Sequence, residues 1–469
     1  MDSHQILELT AQELPYMPTD QQSMVLAALA RFCVSDRARP VFVLNGYAGT
    51  GKTSLVAALV RALKRLNVQT VLLAPTGRAA KVLSSMAEIP AYTIHRRIYR
   101  PPLPGMPLEM TLTANRTKDT VFIVDEASMI GADDTPERTS LLEDLLTYVF
   151  TGDNCRLLLL GDKAQLPPVG TDNSPAMKPE VLKAMGMNVS SVVMTETVRQ
   201  AKDSGILVNA TWLRRKMFDN PSTPLFKVIG YDDVRPVEGY DLIDTLSSVY
   251  GRDGVESTLL VTRSNRSATR ANLMIRNSIF AAEEELVRGE RILVAKNNYV
   301  WGEKVEGLDF IANGDIATVE SVHSSETKDG LRFADVTLRF PDRGGVEVEA
   351  KILLNSLTSE SPTIEPELWQ SFFNRRLMDP MLFEPGTTME SRMRRMRTDP
   401  WANALQVKYA YALTCHKAQG GQWKNVFVDT RAAAIPDESP TEHFRWLYTA
   451  FTRATDTLYL INPPEEALR

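Results

Sequence analysis

Eight consecutive residues constrain this chain more than any other stretch: Gly46-Tyr47-Ala48-Gly49-Thr50-Gly51-Lys52-Thr53. They follow the apolar run Val41-Phe42-Val43-Leu44 and precede the amphipathic stretch Ser54 to Leu66, so they read as strand, glycine loop and helix. Gly46, Gly49 and Gly51 let the backbone around Thr50 turn its N–H groups inward on a polyphosphate. Lys52 reaches the β and γ phosphates, and Thr53 offers a hydroxyl to Mg²⁺. The positive end of the following helix points at the same anion. The bland alternative is a fortuitous glycine-rich turn, but both flanks have the character that a nucleotide-binding loop requires.

The residues around this loop describe an α/β core. Thr19-Asp20-Gln21-Gln22 precedes apolar residues at helical spacing (Met24, Val25, Ala28, Leu29, Phe32), so Thr19 and Gln22 form a capping box. The Gln22 amide can also read an adenine edge, and the two roles are compatible. Val71 to Ala74, Val121 to Val124 and Leu157 to Leu160 are further short apolar runs, and strands alternating with helices imply a parallel sheet. Polar residues follow each run. Asp125-Glu126 fits Mg²⁺ coordination by Asp125 and water activation by Glu126, the alternative being a helix N-cap. Gln165, within Gly161 to Val169, can sense a γ-phosphate or simply sit in a proline-stiffened loop. Tyr99 to Asn115, with four prolines, reads as an excursion from the sheet, and its Tyr99 as either a base-stacking or a core aromatic.

A second α/β run starts at Leu259 to Thr262, continues through the helix-like Ala268 to Phe280, and resumes at Gln406 to Thr414 as one strand, Val407 to Leu413. Between these parts, Ile292 to Leu354 alternates β-branched residues, which suggests an inserted small β-barrel. Glu367 to Met378 and Met389 to Arg397 read as helices. Arg392, Arg394, Arg395 and Arg397 of the latter form a solvated face or a phosphate-contacting one. His416 and Lys417 end a buried strand in a chain with a nucleotide loop, which favours a contact to nucleic-acid phosphate or base over an ordinary surface role. Arg453 closes a helix that begins near Thr441, where a cation also suits the helix dipole.

The length of 469 residues allows roughly two to four domains of about 150 residues. A formal charge of -5 gives no global basic signature, so a nucleic-acid partner must be held by a local groove. Cys33, Cys155 and Cys415 have no paired spacing, which argues against disulfides and a zinc site. No apolar run approaches the roughly 18 residues of a membrane span, and a reducing, cytoplasmic setting is expected.

Taken in order, these stretches resemble the superfamily 1 helicases of the 5′-to-3′ class, the RecD/Dda-like group. The resemblance rests on Gln22, the phosphate loop, Ala74-Pro75-Thr76, Thr93-Ile94-His95, Asp125 to Met129, Gly161 to Pro168, Arg199, Thr414 to Gly420 and Tyr448 to Arg453. It implies two RecA-like parallel-sheet cores with a small inserted pin subdomain and an SH3-like β-barrel insertion near Asn313-Gly314-Asp315. Its boundaries would be residues 1–93 and 119–195 for the first core around a pin at 94–118, then 196–296 and 402–469 for the second around a barrel with helical extension at 297–401. Catalytic roles would fall to Lys52, Glu126, Gln165, Arg199 and Arg453, the two arginines reaching the γ-phosphate from across the cleft. Pro75, Thr76, Thr93, His95, Thr414, His416 and Lys417 match the group's DNA-contacting motifs. Such a protein would use ATP and Mg²⁺ to move 5′ to 3′ on single-stranded DNA and open tailed duplexes. It would act as a monomer among replication or repair proteins. Gln422, where many relatives carry glutamate, departs from the pattern. An ATP-dependent clamp that does not move, a different phosphate-loop enzyme, and RNA as the track are the competing readings. Glu126, Arg199 and Arg453 argue for turnover against the first, and the second core with His416-Lys417 argues against the second.

Overall fold

The apolar runs are short because each must be buried on both faces of a sheet. Chain order introduces β1 (Pro40–Gly46), β2 (Thr70–Ala74), β3 (Ala91–Thr93), the two-residue strands β4 (Tyr99–Arg100) and β5 (Thr111–Leu112), then β6 (Val121–Val124), β7 (Arg156–Gly161) and β8 (Asn188–Met194). Six of these form one sheet in the order β3-β2-β6-β7-β1-β8, with its pairings parallel. The period of two divides β1 between two cores. Phe42 and Leu44 pack with Val25, Leu29, Leu55 and Leu59 on one face, while Val41 and Val43 pack with Phe122, Leu145 and Val149 on the other. Each such side chain contributes about 1.5–3 kcal/mol on burial. The computed structural model describes residues 2–100, 111–131, 140–168, 170–171, 173–196, 203–219, 224–303, 305, 308, 310–430 and 439–469.

The helices start where their side chains supply acceptors. Thr19 and Gln22 form the expected capping box at the head of Asp20–Cys33, and Thr76 accepts from the Ala79 amide at the head of Gly77–Ala87. The expected pin centres on residues that lie outside the described ones. Its entry and exit are held together by Thr113, which donates both its amide (2.7 Å) and its hydroxyl (3.0 Å) to the Ile98 carbonyl. Tyr99 is a core aromatic here. Its ring lies 5.6 Å from that of His95, and its hydroxyl donates to Asp144 at 2.6 Å.

Two compact units divide the chain, one of residues 1–100, 112–237 and 418–469, the other of residues 101–111 and 238–417. The first also holds β9 (Val234–Val237), which belongs with two strands from the end of the chain. Within the second, β10 (Thr258–Thr262) pairs in parallel with a later strand, and a closed barrel is built from β11 (Arg291–Val294), β12 (Ile316–Lys328), β13 (Leu331–Phe340), β14 (Val346–Leu353) and β15 (Leu405–Tyr409). The partner of β10 is β16 (Ala412–Thr414). Back in the first unit, β17 (Trp423–Asp429), β18 (Ala454–Ile461) and β9 lie parallel in that order. The architecture is α/β, with parallel-sheet cores and a closed five-stranded barrel inserted in the chain.

The single strand expected from Val407 to Leu413 is two strands. β15 pairs antiparallel with β11 and parallel with β14 to close the barrel, whereas β16 pairs with β10. Only Ala410 and Tyr411 separate them, and Asn272 fixes this joint. Its Oδ1 accepts from the Tyr411 and Ala412 amides (3.0 and 2.8 Å), and its Nδ2 donates to the Ala412 carbonyl (2.8 Å). One apolar run served two sheets, and burial alone could not mark the break.

The helices Pro366–Leu377 and Met389–Met396 of the extension are tied by an ion pair, and Trp369 and Phe372 pack against Leu331, Phe333 and Leu353 of the barrel. Arg376, 1% exposed, donates from Nε and Nη2 to both oxygens of Asp399 (2.7 and 2.6 Å) and lies 4.1 Å from the Trp401 ring centre. The Trp401 indole donates to Glu326 of β12 at 2.8 Å. Arg392 is occupied by the Leu377 carbonyl, whereas Arg394 meets Glu390 in an exposed pair at 3.5 Å, as a solvated face would have it. Replacing Arg376 with Ala strands Asp399 in a buried site. It should cost about 3–5 kcal/mol in the unfolding step that Trp401 fluorescence reports in a denaturant titration.

Candidate functional site

Parallel register sets the carboxyl ends of β6, β7 and β1 side by side, and the expected chemistry-bearing residues of the first core follow these three strands. After β1, Gly49 and Gly51 take φ values of 75° and 78°, the left-handed region that glycine enters without strain. Gly46 is needed for space, since a Cβ there would meet the Thr50 hydroxyl at 3.0 Å and Lys52 Cδ at 3.1 Å. The helix Lys52–Arg65 has no side-chain cap, so its first N–H groups are open to an anion. Lys52 Nζ donates to the Gly46 carbonyl at 2.7 Å, across the loop it would serve. Thr53, at the second position of this helix, is half-buried.

Asp125 and Glu126 follow β6. Asp125 is 8% exposed, and its Oδ1 accepts from the Glu126 amide at 2.8 Å. Burial first, then the neighbouring Glu126 charge, raise the Asp125 carboxyl above the ordinary aspartate range, while Lys52 opposes them. Glu126 carries a φ of 52°, a strained conformation for a non-glycine residue, and its Oε2 is buried without a hydrogen-bond partner among the described residues. Gln165 Oε1, after β7, is likewise buried and unpartnered. Strain and unpaired polar atoms at two adjacent strand ends, beside the uncapped phosphate-loop helix after the third, are costs that packing does not require.

Gln22 has its capping acceptor engaged by the Thr19 amide (3.0 Å), and its Nε2 donates to the Thr50 carbonyl (3.0 Å). It therefore joins the helix Asp20–Cys33 to the phosphate loop. Arg453 is 4% exposed. Its guanidinium donates to the carbonyls of Thr449 and Gly421 (3.1 and 3.2 Å) and to the Thr452 hydroxyl (3.2 Å), so in this structure it holds the end of its own helix. Arg199 lies outside the described residues.

Sequence reading missed what grips the segment after β7. Tyr448, buried on the helix Pro440–Phe451, donates its hydroxyl to Asp162 Oδ2 at 2.6 Å and accepts from the Ala48 amide of the phosphate loop at 2.8 Å. Thr449 Oγ1 accepts from the Leu166 amide (2.8 Å), and Gln419 Nε2 donates to the Leu166 carbonyl (2.7 Å). The signal was a Tyr-Thr pair within the apolar second half of this helix, which reads only as part of a motif until its partners are placed.

Of the expected DNA contacts, Thr76 and Thr93 cap the helices Gly77–Ala87 and Ile94–Ile98, and Pro75 ends β2. Gly420, with φ 71°, abuts Thr76 so closely that a Cβ would sit 3.0 Å from its hydroxyl. In the second unit, Thr414 and Lys417 line a small cavity with Asn265, Thr269 and Lys408. Lys417 donates to Asn313 at 2.5 Å, and burial lowers its ammonium pKa. Burial pushes Lys408 down to about 8. Loss of solvation, with Arg263 and Lys417 nearby, holds His416 below the ordinary imidazole value. Among the described residues, no cluster of three or more His, Cys, Asp or Glu could hold a metal, and no helix is long and apolar enough to cross a membrane.

Comparison with known proteins adds to this geometry. The model of an AAA domain matches residues 19–219, and that of the UvrD-like helicase C-terminal domain matches residues 409–461. The chain is 30% identical over 196 residues to the ATP-dependent RecD2 DNA helicase of Deinococcus radiodurans, covering 40% of this chain and 23% of that protein. It is 24% identical over 301 residues to the ATP-dependent DNA helicase dda of Enterobacteria phage T4, covering 60% of this chain and 63% of that protein. It thus spans less than two thirds of either relative. The crystal structure of Pif1 helicase from Bacteroides with ADP-AlF3 and ssDNA aligns with TM-score 0.48 and 14% identity, over 96% of this chain and 93% of that one. The family models and sequence relatives bear out the resemblance to superfamily 1 helicases of the RecD/Dda-like group.

The double engagement of Gln22 makes a specific prediction. Gln22→Glu keeps the acceptor for Thr19 and forfeits the donor to Thr50, so affinities for ATP and GTP should fall together, by about fivefold for one lost hydrogen bond. Titration with fluorescent analogues of both nucleotides checks this, and a fall confined to ATP would assign the amide to the base instead.

Proposed function

We propose that this chain is an ATP-dependent DNA helicase that moves 5′ to 3′ along single-stranded DNA and separates duplex ahead of it. The observation that carries the reading is the placement of an uncapped phosphate-loop helix, a strained Glu126 with an unpartnered carboxylate oxygen, and an unpartnered Gln165 at three adjacent strand ends. The relatives named above as ATP-dependent DNA helicases support it. Residues 1–93 and 119–195 would make the first core, 196–296 and 402–469 the second, with the pin and barrel between their parts.

The donor set fits Mg²⁺, which prefers hard oxygens and one or two carboxylates rather than a protein cage. Thr53 and Asp125 would hold it, and when bound it supplies neutralisation of charge on the β and γ phosphates. Asp125 is then held ionised against the burial that raises its pKa. Lys52 exchanges the Gly46 carbonyl for phosphate oxygens. Glu126 Oε2, free of other hydrogen bonds, accepts the proton of the attacking water, and Gln165 orients that water. Arg453 acts as the finger on leaving its Thr449 and Gly421 carbonyls, and Arg199 is its proposed companion. Pro75, Thr76, Thr93 and His95 grip the strand from the first core, while Thr414, His416 and Lys417 do so from the second. Closure on ATP and opening after hydrolysis convert alternating grip into steps. A monomer is sufficient for this cycle.

ATP hydrolysis with and without single-stranded DNA, and unwinding of duplexes with a 5′ or a 3′ tail, test the proposal. Turnover without DNA stimulation, or opening from the 3′ tail alone, would overturn it in part or whole. Glu126→Gln preserves shape but cannot take the proton, so hydrolysis should fall by about 10²–10⁴ while ATP and DNA still bind. Lys417→Ala should weaken single-stranded DNA binding and flatten its dependence on log salt by about 0.7. An unchanged salt slope would remove Lys417 from the track.

A further inference from the structure

The hydrogen bonds of Tyr448 carry a step beyond that reading, on which the inference rests. A tyrosine hydroxyl has one proton to give and lone pairs to accept with, and both capacities are used here. The Ala48 amide, a phosphate-loop donor, gives to it at 2.8 Å, and it gives to Asp162 Oδ2 at 2.6 Å. The remaining Asp162 oxygen accepts from the Ala164 amide at 2.9 Å and so shapes the turn that leads to Gln165. Tyr448 and Asp162 are each 1% exposed, which leaves water no room to substitute for either partner. The same helix holds that segment again at Thr449, and it ends at Phe451, two residues before Arg453.

We infer that the Tyr448 hydroxyl is a positioning group that locks the phosphate loop at Ala48 to the Asp162–Gln165 turn, so that loop, sensor and arginine helix adopt their working geometry as one unit. Hydrophobic burial of the ring does not need this bond, because phenylalanine would fill the same space. Charge alone does not demand it either: burial raises the Asp162 carboxyl above the ordinary aspartate range, and Lys52 opposes that more strongly than the hydroxyl does. What the hydroxyl adds is direction. It fixes where one loop N–H points and where one carboxylate points, and these fixed points flank Lys52 and Gln165.

The test is Tyr448→Phe in the full chain, with Asp162→Asn and the double variant. In Tyr448→Phe, kcat for DNA-stimulated ATP hydrolysis should fall about tenfold, the effect of one well-aligned hydrogen bond on the reacting geometry, while KM for ATP changes less than about twofold. Hydrogen exchange at the Ala48 amide should quicken about tenfold, with a fall of only a few degrees in melting temperature from the donor that Asp162 loses. The double variant should be no slower than the slower single one, because both break the same bridge. Parental kcat and parental protection of Ala48 in Tyr448→Phe would overturn the inference, as would losses that multiply in the double variant. Should the parent show no turnover, the functional reading falls, yet the exchange comparison at Ala48 still decides whether the bridge sets the loop.

Discussion

The register between β1 and β7 is the constraint on which the rest of the first unit depends. Asn45 stands opposite Gly161, and its Oδ1 accepts from the Lys163 amide at 3.1 Å, tying the turn after one strand to the end of the other. A slip of one residue would exchange the two faces of β1, sending Phe42 and Leu44 into the core built for Val41 and Val43. Leucines on both strands therefore protect an alignment whose purpose is polar. It brings a glycine loop and a carboxylate-bearing turn level with each other.

Against that alignment, the unpaired atoms acquire meaning. Folded chains rarely leave a buried carboxylate oxygen without a donor, and they rarely hold a glutamate at positive φ. Glu126 does both, and Gln165 leaves a buried amide oxygen unpaired a strand away. Lys52, Gln22 and Arg453 show the complementary arrangement, with donors resting on nearby carbonyls. Donors parked on backbone carbonyls and acceptors with no partner together describe a site poised for a charged ligand with many oxygens.

Much of this was legible from residues alone where a local rule fixes the outcome. The glycines of the loop, the Thr19–Gln22 box, the short buried strands and the β-rich insertion each follow from nearest neighbours in sequence. Legibility failed where one local pattern admits two tertiary partners. Val407 to Leu413 is apolar but for Lys408 and the tyrosine hydroxyls, so nothing within it shows that β15 closes a barrel while β16 pairs with β10. Tyr448 gave no sign of its role because its two partners lie about 290 and 400 residues away. Tyr99 offered two readings that only the position of Asp144 separates.

The two-residue joint between β15 and β16 has a consequence for how such chains can change over time. Barrel hairpins such as the turn at Asp329-Gly330 can lengthen freely, because the added residues project into solvent and closing a longer loop costs little. Ala410-Tyr411 has no such freedom. One inserted residue would break the pairing of Asn272 with the joint and turn β16 over, carrying Thr414 to the wrong side of its strand and re-aiming the short helix Cys415–Ala418 that bears His416 and Lys417. Variation in length should accordingly accumulate at the barrel's rim, while this seam keeps its spacing even as its side chains drift.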